Sequence, residues 1–303
     1  MQVEIKDRKQ AWLHAIRLRT LPLALASILA GSIIAYQQGV FRWNIFFLAC
    51  LTTIFLQILS NLSNDYGDTI HGADHEKREG PVRAVQSGLI SLKEMKKAIY
   101  LFGFFSLISG LLLIFLALQS ILLFGIFLLL GLLAIWAAIT YTSGKNPYGY
   151  IGLGDLSVFL FFGLLGVIGT FFLHSGDFFS PVIWIGISLG FFSTSVLNIN
   201  NIRDIESDTH AGKKSIPVRI GRSAAIQYNW FLILAGNITL AIYILLTQNL
   251  GGLFALLAFP LMIKVGVGVQ NAQTSKQTDP FLKQMALSTL LWVICFGIGI
   301  LFL

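Results

Sequence analysis

Charge is scarce in this sequence. Only 12% of its 303 residues are Asp, Glu, Lys or Arg, while 55% are hydrophobic; an ordinary soluble domain has roughly 25% charged residues. With a mean hydropathy of +0.77, the chain lacks the polar surface to cover a water-soluble globule, so its solvent is lipid. Cysteine is nearly absent as well. Cys50 and Cys295 both lie in apolar runs with no CxxC or Cys/His grouping, which excludes a thiolate metal centre and a redox pair. A cleavable leader is not expected. The apolar run from Leu21 to Tyr36 is longer than a signal-peptide core, and the rest of the chain is itself membrane-spanning.

Long apolar runs, by contrast, are abundant. A spanning helix needs about 20 mostly apolar residues whose backbone groups are satisfied within the segment. The sequence offers such stretches near 20–37, 44–63, 98–118, 121–142, 152–173, 181–200, 229–247, 251–270 and 285–303. The expected fold is therefore all-α, a polytopic membrane protein with nine transmembrane helices in a single domain.

The net charge of +7 is distributed as topology, which excludes nucleic acid as its partner. With the N-terminus in the cytoplasm, nearly all Lys and Arg residues fall in cytoplasmic segments, and the external connections hold only Arg42. That asymmetry is what the positive-inside rule requires. It places the C-terminus outside and leaves two long cytoplasmic connections, 63–97 and 201–228, with nine of the fourteen acidic residues.

Overlaying these connections at a constant offset of 136 residues pairs Asp68 with Asp204, Lys77 with Lys213, Arg78 with Lys214, Pro81 with Pro217, Val82 with Val218 and Arg83 with Arg219. The expectation is two four-helix pseudo-repeats, about 10–142 and 145–270, with a last helix at 285–303 and a site between the halves.

The chemistry-bearing residues sit at the ends of the second and sixth spans. Asn64, Asp65 and Asp68, followed by Asp74, form one cluster; Asn201, Asp204 and Asp208 form the other. A spacing of about one helical turn puts amide and carboxylate on a common face. Oxygen ligands of this kind suit Mg²⁺, which keeps substrate phosphate oxygens among its ligands, and helix C-termini favour a cation. Single acids in such loops are usually solvated partners of nearby bases; two similar clusters with the same basic residues downstream point to a site. Of those bases, Lys77, Arg83 and Lys213, together with Arg17 and Lys145, are candidate diphosphate contacts.

The clusters at the ends of helices two and six of nine resemble those of the UbiA superfamily of intramembrane prenyltransferases. Within it, Ser60–Asp68, Lys145–Asp155, Asn201–Asp204 and Arg17–Pro22 are similar to the 1,4-dihydroxy-2-naphthoate polyprenyltransferase branch. Asp74, six residues after Asp68, departs from the three-residue gap of other branches. The resemblance implies Mg²⁺ held by Asp68, Asp204 and Asp208 with Asn64 and Asn201 assisting, and a polyprenyl diphosphate donor. It further implies an aromatic acceptor acid that loses CO₂, with Lys145 as a catalytic contact to diphosphate and Tyr141 and Asp155 on the acceptor side. Another aromatic acceptor, such as 4-hydroxybenzoate or homogentisate, is the alternative within the class. An ion-coupled secondary transporter is the alternative outside it, disfavoured because the acids lie at helix ends instead of the bilayer midplane.

Overall fold

The computed structural model describes residues 7–72 and 84–303. Asp74, Lys77, Arg78 and Arg83 lie outside the described residues. Within them the chain is helical with no strand. Nine helices are long and apolar enough to cross a membrane: α1 Arg8–Gln37, α2 Trp43–Ile70, α3 Leu92–Ala117, α4 Ile121–Thr140, α5 Gly154–Ser175, α6 Val182–Arg203, α7 Ile216–Thr247, α8 Leu250–Asn271 and α9 Ser275–Phe302. The expected nine spans are all present.

Several helices outrun their apolar windows, because a helix ends where its caps are and hydropathy ends where polar side chains begin. α2 continues past the expected boundary at residue 63 to Ile70, so Asn64, Asp65 and Asp68 are helical residues, not loop residues. α3 begins at a reciprocal Ser91/Glu94 cap and α9 at a Thr274/Gln277 cap, well before their apolar runs. α1 reaches back to Arg8 but is broken at Arg17, which adopts φ 53°, ψ 58° before a 3₁₀ turn at Leu18–Thr20. α7 is kinked at Gly221, where φ is 80° and ψ 163°. The middle of α5, Phe159–Gly169, is wound as a π-helix, a rare form that recurs at functional sites.

α6 is the most buried helix and α4 the most exposed. α6 packs against α5, α7 and α9, while α9 also packs against α1 and closes the bundle. Aromatic stacking fills the interior between α6, α7 and α9. Trp292 stacks on Phe296 with ring centroids 5.7 Å apart, and Phe192 and Tyr243 meet this pair edge-on. The first half has a separate core around Leu59, Leu62, Ile90 and Met95.

Candidate active site at the ends of α2 and α6

The last turns of α2 present their polar residues to two different neighbours. Asn61 and Asp65 meet the break in α1. The left-handed turn at Arg17 frees the carbonyl of Ile16, which accepts from Asn61 Nδ2 at 2.8 Å, and Arg17 Nη2 pairs with Asp65 Oδ1 at 2.6 Å. Asn64 and Asp68 instead face the segment after α4. Thr142 Oγ1 donates to Asn64 Oδ1 at 3.1 Å, and the Tyr150 hydroxyl donates to Asp68 Oδ1 at 3.1 Å.

The second cluster does not lie on one continuous helix, as its spacing suggested. Asp204 (φ −99°, ψ 12°) terminates α6 and starts the short helix Ile205–His210. The register survives the junction because Asp208 N still donates to Asp204 O at 2.8 Å. Arg203 grips Asp204 bidentately, through Nε at 2.8 Å and Nη2 at 2.6 Å, and also reaches Asp279 at 2.6 Å and Asn200 at 2.8 Å. Lys213 Nζ lies 3.1 Å from Asp208 Oδ2, to which Ser215 also donates.

Asp68, Asp204 and Asp208 are all buried, with 5%, 6% and 5% exposure, and they act on one another electrostatically. Burial pushes the Asp208 carboxyl above its ordinary value; Lys213 opposes that shift, while Asp204 and Asp68 reinforce it. For Lys213, burial would lower the ammonium, but Asp208, Tyr141, Asp68 and Asp204 together outweigh it and hold the proton more tightly than usual. Asp208 contacts Lys213 directly, while Asp68 and Asp204 act on it only through their charge. The Tyr141 phenol is raised by burial, as is that of Tyr148.

An oxygen-rich donor set suits a hard divalent cation, and one observation favours it here. Asn201 is 2% exposed and its Oδ1 has no hydrogen-bond partner, so a buried acceptor is left unsatisfied on the last turn of α6, three residues before Asp204. Among the described residues no three His, Cys, Asp or Glu side chains form a metal cluster by themselves. A cation here needs amide oxygens and oxygens from a ligand to complete its shell.

Below the first cluster lies a cavity of about 300 Å³. Asn64, Asn61, Gln57, Tyr141, Tyr148 and Ser157 form its polar end, and Leu56, Phe161, Phe162 and Leu165 its apolar end. Two further apolar cavities, about 150 and 590 Å³, share lining residues with it, Leu165 among them. The larger runs between α4 and α5, where Ile126, Leu133 and Leu160 are exposed. The π-wound stretch of α5 forms one wall throughout.

The expected residues are therefore only partly assembled. Tyr141 lines the cavity, whereas Asp155 does not; it opens α5 on the side of Tyr228 of α7, with its Oδ2 buried. Lys145 is exposed on the connection after α4. Arg17 and Lys213 are engaged by Asp65 and Asp208. Sequence reasoning did not single out Arg203 as the partner of Asp204, nor Asp279 and Tyr150. Tyr150 had a signal, as a third tyrosine in the short 141–150 segment; Asp279, beyond the last connection, had none.

Asn64, on the last turns of α2 with Asp68, joins the first cluster to an apolar chamber. Residues 24–290 match the model of the UbiA prenyltransferase family. The chain is 42% identical over 295 residues to the 1,4-dihydroxy-2-naphthoate octaprenyltransferase of Escherichia coli (strain K12), covering 97% of this chain and 96% of that one. It is 43% identical over 301 residues to the protein of the same name from Haemophilus influenzae, covering 98% and 97%. Among solved structures, the apo UbiA homolog from Aeropyrum pernix K1 superposes with a TM-score of 0.66 at 19% identity, covering 98% of each chain. A UbiA homolog from Archaeoglobus fulgidus bound to DMAPP and Mg²⁺ gives 0.60 at 18% identity, covering 95% of this chain and 98% of that one. The chain belongs to the UbiA prenyltransferase family and is a multi-pass membrane prenyltransferase.

Proposed function

We propose that this enzyme transfers a polyprenyl group from its diphosphate to 1,4-dihydroxy-2-naphthoate, with loss of CO₂ and diphosphate, in menaquinone synthesis. The observation that carries this reading is full-length identity above 40% to two proteins named for that acceptor. The electrostatic coupling of Asp68, Asp204 and Asp208 through Lys213, and the apolar chamber that Asn64 lines, support the same chemistry.

Mg²⁺ held by Asp68, Asp204 and Asp208, with Asn64 and Asn201 assisting, would neutralise the diphosphate as negative charge develops on it. Asp65 and Asp74 are further candidate ligands, and Lys145, Lys213, Arg17, Lys77 and Arg83 are candidate diphosphate contacts. The isoprenoid tail lies along the apolar cavities between α4 and α5, whose Leu and Phe side chains keep water from the allylic cation. The donor C–O bond breaks, and its electrons leave with diphosphate. Tyr141 and the polar end of the cavity hold the naphthoate ring so that the carbon bearing the carboxylate attacks. That carbon has no proton to lose; aromaticity returns only when the bond to the carboxylate breaks and CO₂ departs. Asp155, outside the cavity, orders the acceptor side through α5 and α7.

Topologically, the reading places the chain in the cell inner membrane with the carboxylate clusters at the cytoplasmic face. A reporter fused after Leu303 then reads as external; a cytoplasmic readout contradicts the orientation. The decisive assay offers carboxyl-labelled dihydroxynaphthoate and 4-hydroxybenzoate with polyprenyl diphosphates. Prenylated product from the naphthoate alone, free of label, is the expected result. A prenylated product that keeps its carboxylate overturns the acceptor assignment.

A further inference from the structure

Within three consecutive residues, the connection between the short helix Ile205–His210 and α7 contacts one carboxylate cluster and the tyrosine that bonds the other. Lys213 and Ser215 hold Asp208 with their side chains, at 3.1 Å and 3.3 Å. Between them, Lys214 N donates to Tyr150 O at 2.8 Å, and the side chain of that same Tyr150 donates to Asp68 Oδ1 at 3.1 Å. Arg219 locks the junction. Its Nη2 donates to Ile151 O at 2.6 Å and its Nε to Lys214 O at 2.9 Å, so its guanidinium joins backbone to backbone across the two connections. Gly152 permits this approach. It sits at φ +82°, and a Cβ there would stand 2.7 Å from Lys214 O and 3.1 Å from Arg219 Nε. The Tyr150 ring is steadied on its other side by His71, with centroids 5.3 Å apart.

We propose that Lys213-Lys214-Ser215, Tyr150 and Arg219 form a strut that sets Asp68 relative to Asp208, making Tyr150 and Arg219 positioning residues for the diphosphate end of the site. The inference rests on the reading above, in which those carboxylates serve Mg²⁺ and diphosphate together. Its physical basis is tolerance: groups that bind one ligand from different helices work only when held to within about 0.5 Å of their productive geometry. Each helix end is rigid by itself, but nothing in a helix fixes its separation from another helix. The strut supplies that separation through backbone atoms and one phenol, and the exposed Arg219 contributes as a clamp.

The test uses the full-length protein in detergent and follows the thermal unfolding midpoint with geranyl diphosphate while Mg²⁺ is titrated, for wild type, Tyr150→Phe, Arg219→Ala and the double variant. Each single variant is expected to raise the Mg²⁺ concentration for half-maximal stabilisation about 10-fold, the scale of one hydrogen bond to a charged group. The double variant should shift it no further, because both residues act through Asp68. Donor KM should rise more than kcat falls. Mg²⁺ midpoints within twofold of wild type in both single variants overturn the strut, even if their ligand-free unfolding midpoints fall; so does a double variant whose shift is the product of the two. If wild type itself gains no stability from Mg²⁺ and geranyl diphosphate, the diphosphate reading fails and the strut fails with it. Stabilised wild type with unshifted variants sinks the strut alone.

Discussion

The two carboxylate clusters use the same residue types, yet they are supported in opposite ways. On α2 the support comes from afar. Arg17 of α1 holds Asp65, Thr142 after α4 holds Asn64, and Tyr150 holds Asp68. After α6 it is local: Arg203 holds its neighbours Asp204 and Asn200, while Lys213 and Ser215 hold Asp208. The 136-residue offset pairs Gly67 with Arg203, since 67 + 136 = 203. At Gly67 the chain after α4 packs directly on α2; a Cβ there would stand 2.4 Å from Thr142 O. Where the first cluster has an empty position filled by another segment, the second has a guanidinium that does the holding itself. Among the described contacts, the first cluster is held mainly by segments distant in sequence and the second mainly by sequence neighbours, with Asp279 sharing Arg203.

The comparison can be broken at its common purpose. Asp68→Asn and Asp204→Asn each remove a charge from the site and almost no volume, so each should lower turnover about 100-fold or more while the protein stays folded. Should either variant keep more than a tenth of wild-type activity in a prenyl-transfer assay, its cluster is not part of the chemistry.

Arg203→Met probes local support. It leaves Asp204 and Asp279 without their shared cation, and breaking a buried pair costs about 3–5 kcal/mol, measured as a lower thermal unfolding midpoint in detergent. Arg17→Met should cost less, because the Arg17 side chain is 22% exposed against 4% for Arg203. Equal losses would mean that the two clusters are supported alike. The smallest effect is expected from Gly67→Ala, where overpacking against Thr142 costs about 1–3 kcal/mol. Because it displaces the residue that holds Asn64, it should also weaken Mg²⁺ dependence; unchanged stability would show that the chain after α4 yields freely.

Much of this was legible in advance. The nine spans were readable because lipid imposes a length and a composition on every crossing segment. The acids of both clusters were readable from their spacing and from the scarcity of charge around them. The ends of the helices were not, since hydropathy falls at Asn64, Asp65 and Asp68 and their weak helix propensity suggests a boundary, yet the i to i−4 backbone bonds of α2 continue through them to Ile70. Nor were the partners. Arg17 and Asp65 are 48 positions apart, and Arg203 and Asp279 are 76 apart. Asp155, adjacent to Gly154 on which Tyr141 packs, looks like a pocket residue in sequence, but the first turn of α5 rotates it toward α7 and away from the cavity.

Composition and the length of the apolar runs were enough to put this chain in a bilayer with nine candidate crossings, and spacing was enough to nominate a few carboxylates and amides at helix ends, because lipid penalises every polar group that lacks a purpose. Tertiary packing alone brought Asp68, Asp204 and Asp208 within electrostatic reach of Lys213, left Asn201 Oδ1 without a hydrogen-bond partner, and set the larger apolar cavity between α4 and α5. Those outcomes depend on distances between helices, and a helical sequence specifies its own register while leaving its separation from its neighbours to packing.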